Sequence, residues 1–160
     1  PLRNRLYHIL QKNSNKFNIL FLPYTKKHPE KMICGIELYK LISQSWITCA
    51  CCAISNVLVA KYYEIGLCGS VVLGDYPEYE SEQYLKENMI YINRFSTDDE
   101  IINIIEQHLK NKNKLLEYSS NTKFFDSEDD AWFTTMEDLL AYREGGVWSD
   151  DEDYEAGWYR

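Results

Sequence analysis

The pattern of apolar and polar positions over the first 123 residues predicts strands and helices in alternation. Four short apolar runs bounded by polar or turn residues are typical of buried strands: 17–22, 46–51, 70–73 and 89–93. Apolar residues recur at helical spacing over 5–12, 33–42, 55–68 and 101–111, and a polar helix is predicted toward residue 87. This order predicts an α/β fold: a doubly wound parallel sheet with helices on both faces.

The segment 61–75 carries the clearest signals of a helix followed by a strand. Its helix contains a single acid, Glu64, beside the apolar stripe, and Gly69 then fits a left-handed helix stop before a run rich in valine. An acid at that place either faces a crevice or is solvated, and spacing alone leaves both readings open. Further along the chain, Thr97 and Glu100 have the spacing of a capping box for the last predicted helix.

Charge divides the chain into a nearly neutral body and an acidic tail. The net charge is −8, but residues 1–125 hold 15 basic and 13 acidic side chains, whereas 126–160 hold 2 basic and 12 acidic ones. We therefore expect one Rossmann-like domain over 1–123 and an acidic, aromatic tail over 124–160 that contains one short helix. The tryptophans of the tail leave open that it docks on the body or on a partner.

Composition disfavours several classes of function. A nearly neutral body provides no basic stripe, which disfavours nucleic acid as a partner. The chain has no apolar run of the roughly 18 residues that a membrane span needs, and no signal-like start, so we expect a cytoplasmic protein. Its five cysteines favour reduced thiols used as small core residues. They lack the paired spacing of a zinc site, and we expect no metal.

The pattern also suggests where a nucleotide would bind. In a parallel sheet, ligands bind beyond the carboxyl ends of the strands, where helix N-termini offer N–H groups to phosphate. Ser55 or Asn56, at the start of the predicted helix, is a candidate cradle for a diphosphate. Glu64 lies about eight residues further, roughly 12 Å along a helix, which suits a carboxylate that binds the ribose. The backbone of Gly69 and Ser70 would lie near the sugar or the phosphate.

The residues from Lys61 to Gly69, KYYEIGLCG, resemble the Glu-x-x-x-x-Gly segment in the C-terminal domain of group 1 glycosyltransferases with the GT-B fold. The sequence LGDYP at 73–77 is similar to viral and microbial members of that group. The resemblance covers about residues 17–115. It implies a domain that binds a nucleotide-sugar donor, with Glu64 on the ribose and Lys61 among the donor-binding residues. It also implies an N-terminal acceptor domain in the full-length protein, and catalysis without a metal.

The chain departs from that family at one important position. Retaining members often carry a second glutamate eight residues earlier, and here that position is Asn56, so the acid that would contact the sugar is absent. Lys26 and Lys27 are the candidates for contacting the pyrophosphate, or they are solvated loop lysines. Because the chain does not begin with methionine, we expect a piece of a longer protein that is inactive alone. The alternative hypothesis is a non-catalytic Rossmann-like interaction module with a partner-binding acidic tail.

Overall fold

Six helices and three strands are formed by the residues that the computed structural model describes, which are 2–22, 33–52, 57–77 and 83–123. In chain order they are α1 (Leu2–Lys12), α2 (Gly35–Ser43), β1 (Ile47–Cys49), α3 (Lys61–Leu67), β2 (Val71–Gly74), α4 (Gln83–Glu87), β3 (Ile90–Tyr91), α5 (Asp98–Lys110) and α6 (Lys112–Lys123). The prediction of a mixed α/β chain is confirmed.

The three strands form one parallel sheet in the order β1-β2-β3. Ile47 of β1 lies opposite Val71, and Leu73 of β2 lies opposite Ile90. All four residues of the central strand β2 are buried, as expected of a parallel strand that is covered on both faces. Because the strands are parallel, their carboxyl ends meet at one edge of the sheet, which we call the carboxyl edge.

Helices cover both faces of this sheet. Val72 of β2 packs with α2 and α3, in a cluster that includes Ile42 and Ile65. Its neighbours Val71 and Leu73 point to the opposite face and pack with residues of α1, α5 and α6. The sheet is therefore parallel and covered on both faces, an arrangement compatible with one half of a doubly wound fold.

Residues 17–22 form no strand, so the predicted first strand is wrong. Phe17 packs against the cluster that contains α1 and α5, but Leu20 and Leu22 are exposed. A strand is stabilised by its ladder partners, and in the described part of the chain β1 pairs with β2 alone. In the part of the chain that the structure describes, the run pairs with neither β1 nor β3, so it forms no ladder.

The helix predicted over 55–68 begins later than expected, at Lys61. Residues 57–59 are irregular: Leu58 and Val59 pack against the core without helical structure, and β-branched residues have lower helix propensity. Glu64 therefore lies in the first turn of its helix rather than eight residues along it. No continuous helix therefore joins residue 57 to Glu64, and the predicted separation of roughly 12 Å from a helix start near residue 55 involves residues outside those that the structure describes.

The helix α6 is not predicted by the hydrophobic pattern, because it packs through small polar residues. Among its buried residues, Leu115 is apolar, whereas Ser119 and Thr122 are polar. The hydroxyl of Ser119 donates to the carbonyl oxygen of Gly69 at 2.9 Å, beyond the end of α3. A β-carbon built on Gly66 of α3 would lie 3.0 Å from the Thr122 side chain, so α3 and α6 approach closely.

Two of the sequence signals at helix ends are confirmed. Gly69 adopts a φ of +78°, the left-handed conformation predicted for the stop before β2. Thr97 and Glu100 form the predicted capping box, in which each side chain accepts a hydrogen bond from the other's backbone N–H. The hydrogen bond that the Thr97 backbone N–H donates lowers the pKa of the Glu100 carboxyl.

Candidate functional site

The carboxyl edge of the sheet carries a buried aspartate paired with an arginine. Asp75 follows the last residue of β2 and is 3% exposed. One carboxylate oxygen accepts a 2.8 Å hydrogen bond from the backbone N–H of Cys52, which lies just beyond β1. The other oxygen accepts a 2.6 Å hydrogen bond from Nε of Arg94, which comes three residues after β3. Residues beyond all three strands thus converge on one carboxylate.

Tyr62 joins the first turn of α3 to this edge. Its side chain is fully buried, and its hydroxyl donates to the carbonyl oxygen of Asp75 at 2.6 Å and lies 3.3 Å from that of Ala50. Burial raises the pKa of the Tyr62 phenol well above its usual value, so the hydroxyl stays protonated and remains a donor. The position of α3 over the ends of β1 and β2 is therefore fixed by this tyrosine.

A short turn after β3 presents Arg94 at the edge. The side-chain oxygen of Asn93 accepts from the N–H of Phe95 at 2.9 Å, and its carbonyl oxygen accepts from the N–H of Ser96 at 3.0 Å. Behind the turn, the Arg5 guanidinium of α1 donates to the carbonyl oxygens of Arg94 and Ser96. The turn over 93–96 is therefore held by its own asparagine and by α1.

Replacing Arg5 with alanine is expected to lower the free energy of unfolding by about 1–2 kcal/mol, because charged hydrogen bonds to the turn are lost. The guanidinium also forms a 2.6 Å ion pair with Asp98 in the first turn of α5. Chemical denaturation followed by circular dichroism measures the change. Lys16→Ala is the control, since the Lys16–Glu106 pair is 3.8 Å long and partly exposed. An equal, small effect of both substitutions would contradict the role of Arg5.

The second charged pair of the region lies on α3. Glu64 is 3% exposed, and its carboxylate forms an ion pair with the ammonium of Lys61, one turn earlier on the helix. Glutamate is rarely buried unless it is paired, and a buried pair of this kind is weak evidence for stability. Lys61 directly precedes Tyr62, and Glu64 follows it by two residues. The pair therefore lies on the same turn of α3 as the tyrosine that contacts the carboxyl edge.

The structure brings together only some of the residues that the sequence singles out. Lys61 and Glu64 lie on one turn of α3, as described. Gly69 and Ser70 precede β2, so they lie at the opposite end of that strand from Asp75; the Ser70 hydroxyl lies 2.8 Å from that of Thr48. The role of Gly69 and Ser70 in donor binding stays a prediction. The structure does not bring these two residues to the carboxyl edge.

Four other candidates lie outside the described residues: Ser55, Asn56, Lys26 and Lys27. The tail over 124–160 lies outside them as well. Their predicted roles are neither supported nor opposed by the geometry. The candidates that sequence analysis missed are Asp75 and Arg94. For Asp75 a signal exists, because it is an acid directly after a buried strand; for Arg94 the signal is its position just after the next strand.

The thiols near the edge are not activated nucleophiles. Burial, with a smaller contribution from Asp75, raises the pKa of the Cys51 thiol to about 12. Burial also raises the pKa of the Cys52 thiol, which lies 3.5 Å from the Tyr62 hydroxyl. Both thiols are therefore protonated at neutral pH. Cys68 is buried, as expected of a core cysteine, whereas Cys34 and Cys49 are exposed, so the core interpretation is wrong for these two.

The residues that the structure describes include no group of three or more His, Cys, Asp or Glu side chains arranged to hold a metal ion. None of the helices between residues 2 and 123 that the structure describes has both the length and the apolar character needed to cross a membrane. The chain matches no protein-family model, no curated protein and no solved structure at the significance that we required.

Proposed function

We propose that this chain is the donor-binding half of a glycosyltransferase and that it binds a nucleotide sugar along the carboxyl edge of a doubly wound sheet. The observation that carries the proposal is the Asp75–Arg94 pair at that edge, where residues beyond all three strands meet. Arg94 and Asp75 lie beyond the strands, and Lys61 and Glu64 lie on the helical turn that Tyr62 ties to them. Ligands of parallel α/β sheets bind outside the carboxyl ends of the strands.

Each charged side chain has a role that its chemistry suits. Glu64 accepts hydrogen bonds from the ribose hydroxyls, as the resemblance to GT-B enzymes implies. Lys61 is 31% exposed on its side chain and contributes a positive charge for a phosphate. The Lys61–Glu64 contact orients the carboxylate before the ligand arrives, which reduces the entropy cost of binding.

The proposal assigns no catalytic residue. The sugar-contacting acid of retaining relatives is replaced by Asn56, and the acceptor would be bound by another domain. We therefore expect this chain to bind the donor without transferring the sugar. The nucleotide sugar is the substrate, and the proposal includes no separate cofactor.

The direct test is thermal unfolding of the purified chain with UDP, GDP, ADP, CMP and their common sugar conjugates. A ligand at a hundredfold excess over its dissociation constant stabilises a protein by about 2.7 kcal/mol. We expect a shift with one base and no shift with the others. Absence of a shift with every ligand would contradict the proposal and favour the interaction-module hypothesis.

Glu64→Gln is expected to weaken binding of the preferred nucleotide about tenfold, which corresponds to about 1.4 kcal/mol, while the chain stays folded. The amide removes the negative charge that attracts the ribose hydroxyls, but it keeps the size of the side chain. Isothermal titration calorimetry measures the affinity, and circular dichroism checks the fold.

Glu117→Gln on α6 is the matched control for this substitution. Glu117 also pairs with a lysine three residues earlier, Lys114, but this pair is exposed. The control variant should bind the nucleotide like the original chain. If both variants bind equally well, Glu64 has no place in the site.

A further inference from the structure

The outward side of α1 exposes an aromatic cluster that continues into the chain after the helix. Tyr7 is 45% exposed, and its ring packs edge-on against the ring of Phe21, with centroids 5.1 Å apart. The two sequence neighbours of Phe21, Leu20 and Leu22, are 62% and 44% exposed. Apolar area that stays in water contributes little to folding stability. This cluster therefore offers apolar area that binding, rather than folding, would bury.

The charge around this cluster has one sign. Residues 2–22 contain four basic side chains and no acidic one. Arg3 lies one turn before Tyr7 on α1, and Lys12 lies one turn after His8, so helical spacing places all four on the exposed side. The rings of Tyr7 and His8 are in contact, with centroids 5.6 Å apart. We call this group the α1 surface, which consists of Arg3, Tyr7, His8, Lys12 and Phe21.

The tail has the composition that complements this surface. Residues 126–160 hold 12 acidic and 2 basic side chains. Within them, the acidic run 150–153 lies between Trp148 on one side and Trp158 and Tyr159 on the other. An acidic segment with aromatic residues at both ends matches a surface that combines basic side chains with exposed rings. Opposite charges attract, and the rings bury apolar area when they pack together.

The tail is also long enough to reach this surface from the end of α6. A chain of roughly 25 residues, the distance in sequence from Lys123 to Trp148, spans up to roughly 80 Å when extended. A domain of about 120 residues has a radius of gyration of only about 14 Å. The tether also raises the local concentration of the segment, toward the order of a millimolar for a short flexible linker. Contacts that are weak one by one are therefore enough for binding within one chain.

We propose that residues 147–160 bind the α1 surface of the same chain. The acidic run pairs with Arg3 and Lys12, and the aromatic residues of the segment cover Tyr7 and its neighbours. Helix α2 suits the segment less well: it exposes Ile36, but it carries Glu37 as well as a lysine, so its net charge is zero. The inference does not depend on nucleotide binding.

Carbodiimide coupling of the full 160-residue chain tests the proposal, because this zero-length reagent joins carboxylates to lysines that are in contact. Mass spectrometry of the digested monomer maps the products. We expect Lys12 to be joined preferentially to the carboxylates of 150–155. The yield should fall at least about threefold between about 50 mM and about 500 mM salt, because salt screens exposed charges.

Two variants remove parts of the α1 surface but keep the lysine that reports the contact. Arg3→Glu and Tyr7→Ala should each lower the yield at Lys12 about threefold, which is the size of one exposed ion pair. The matched controls lie on α2: Lys40→Glu makes the same change of charge, and Ile36→Ala truncates a side chain that is 49% exposed. Both controls should keep the original yield. Circular dichroism checks that each variant is folded.

Three outcomes would overturn the proposal. The first is coupling of the tail to lysines all over the body, in proportion to their exposure. The second is an unchanged yield in both Arg3→Glu and Tyr7→Ala. The third comes from a mixture of isotope-labelled and unlabelled chains: products that join a labelled to an unlabelled peptide would show that the tail of a second copy occupies the surface.

Discussion

Replacing Gly74 with alanine is expected to cost at least about 3 kcal/mol of unfolding free energy, the upper end of the usual range for overpacked cores. A β-carbon at Gly74 would lie 1.7 Å from the carbonyl oxygen of Ala50 and 2.9 Å from its carbonyl carbon. Both are backbone atoms, so no side chain can rotate away to make room. The strand β2 is central in the sheet, and its displacement would disturb the pairing with both neighbours.

Two glycine variants separate this steric effect from the general cost of adding a methyl group. Gly66→Ala places its β-carbon 3.0 Å from the Thr122 side chain, which is a milder contact. Gly35→Ala has no neighbouring atom within 4 Å, and its φ of +57° costs about 1 kcal/mol for a residue other than glycine. Urea unfolding followed by circular dichroism compares the three. Gly74→Ala should be much the least stable, and equal stability of all three would contradict the argument.

The sequence predicts the elements of this fold better than it predicts their pairing. The run at 70–73 is recognised as a buried strand because it is apolar on both faces, and the capping box at Thr97 marks the start of α5. The run at 17–22 has the same local pattern, yet it forms no strand, since pairing depends on a neighbour that periodicity cannot identify. Helix α6 is missed for the opposite reason: its contact with α3 uses small polar residues.

The candidate site is predictable in part, for similar reasons. Glu64 is singled out by its position beside an apolar stripe, and the structure shows it buried and paired with Lys61. Asp75 and Arg94 are 19 residues apart, and only the parallel order of β2 and β3 brings them together. The turn that carries Arg94 is likewise held by Arg5, which is 89 residues earlier in the chain than Arg94. Such long-range contacts leave no periodic signal.

Replacing Asp75 with asparagine is expected to lower the free energy of unfolding by about 3 kcal/mol, the lower end of the range for breaking a buried ion pair. The amide can still accept the hydrogen bond from the Cys52 N–H, but it no longer carries the charge that balances Arg94. The loss stays at the lower end because the Arg94 side chain is 46% exposed and can be solvated. Asp75→Ala should cost more, since the Cys52 N–H then loses its acceptor, at about 1–3 kcal/mol.

Asp98→Asn is the matched control, because Asp98 also accepts a hydrogen bond from an arginine Nε, that of Arg5, but its side chain is 58% exposed. Exposed pairs contribute up to about 1 kcal/mol, so the control variant should unfold close to the original chain. Urea denaturation of the three variants tests the ranking. If Asp75→Asn is as stable as Asp98→Asn, the convergence of the three strand ends on Asp75 does not stabilise the carboxyl edge. If the ranking holds, the carboxylate that stabilises the edge is also the one that fixes the Nε of Arg94.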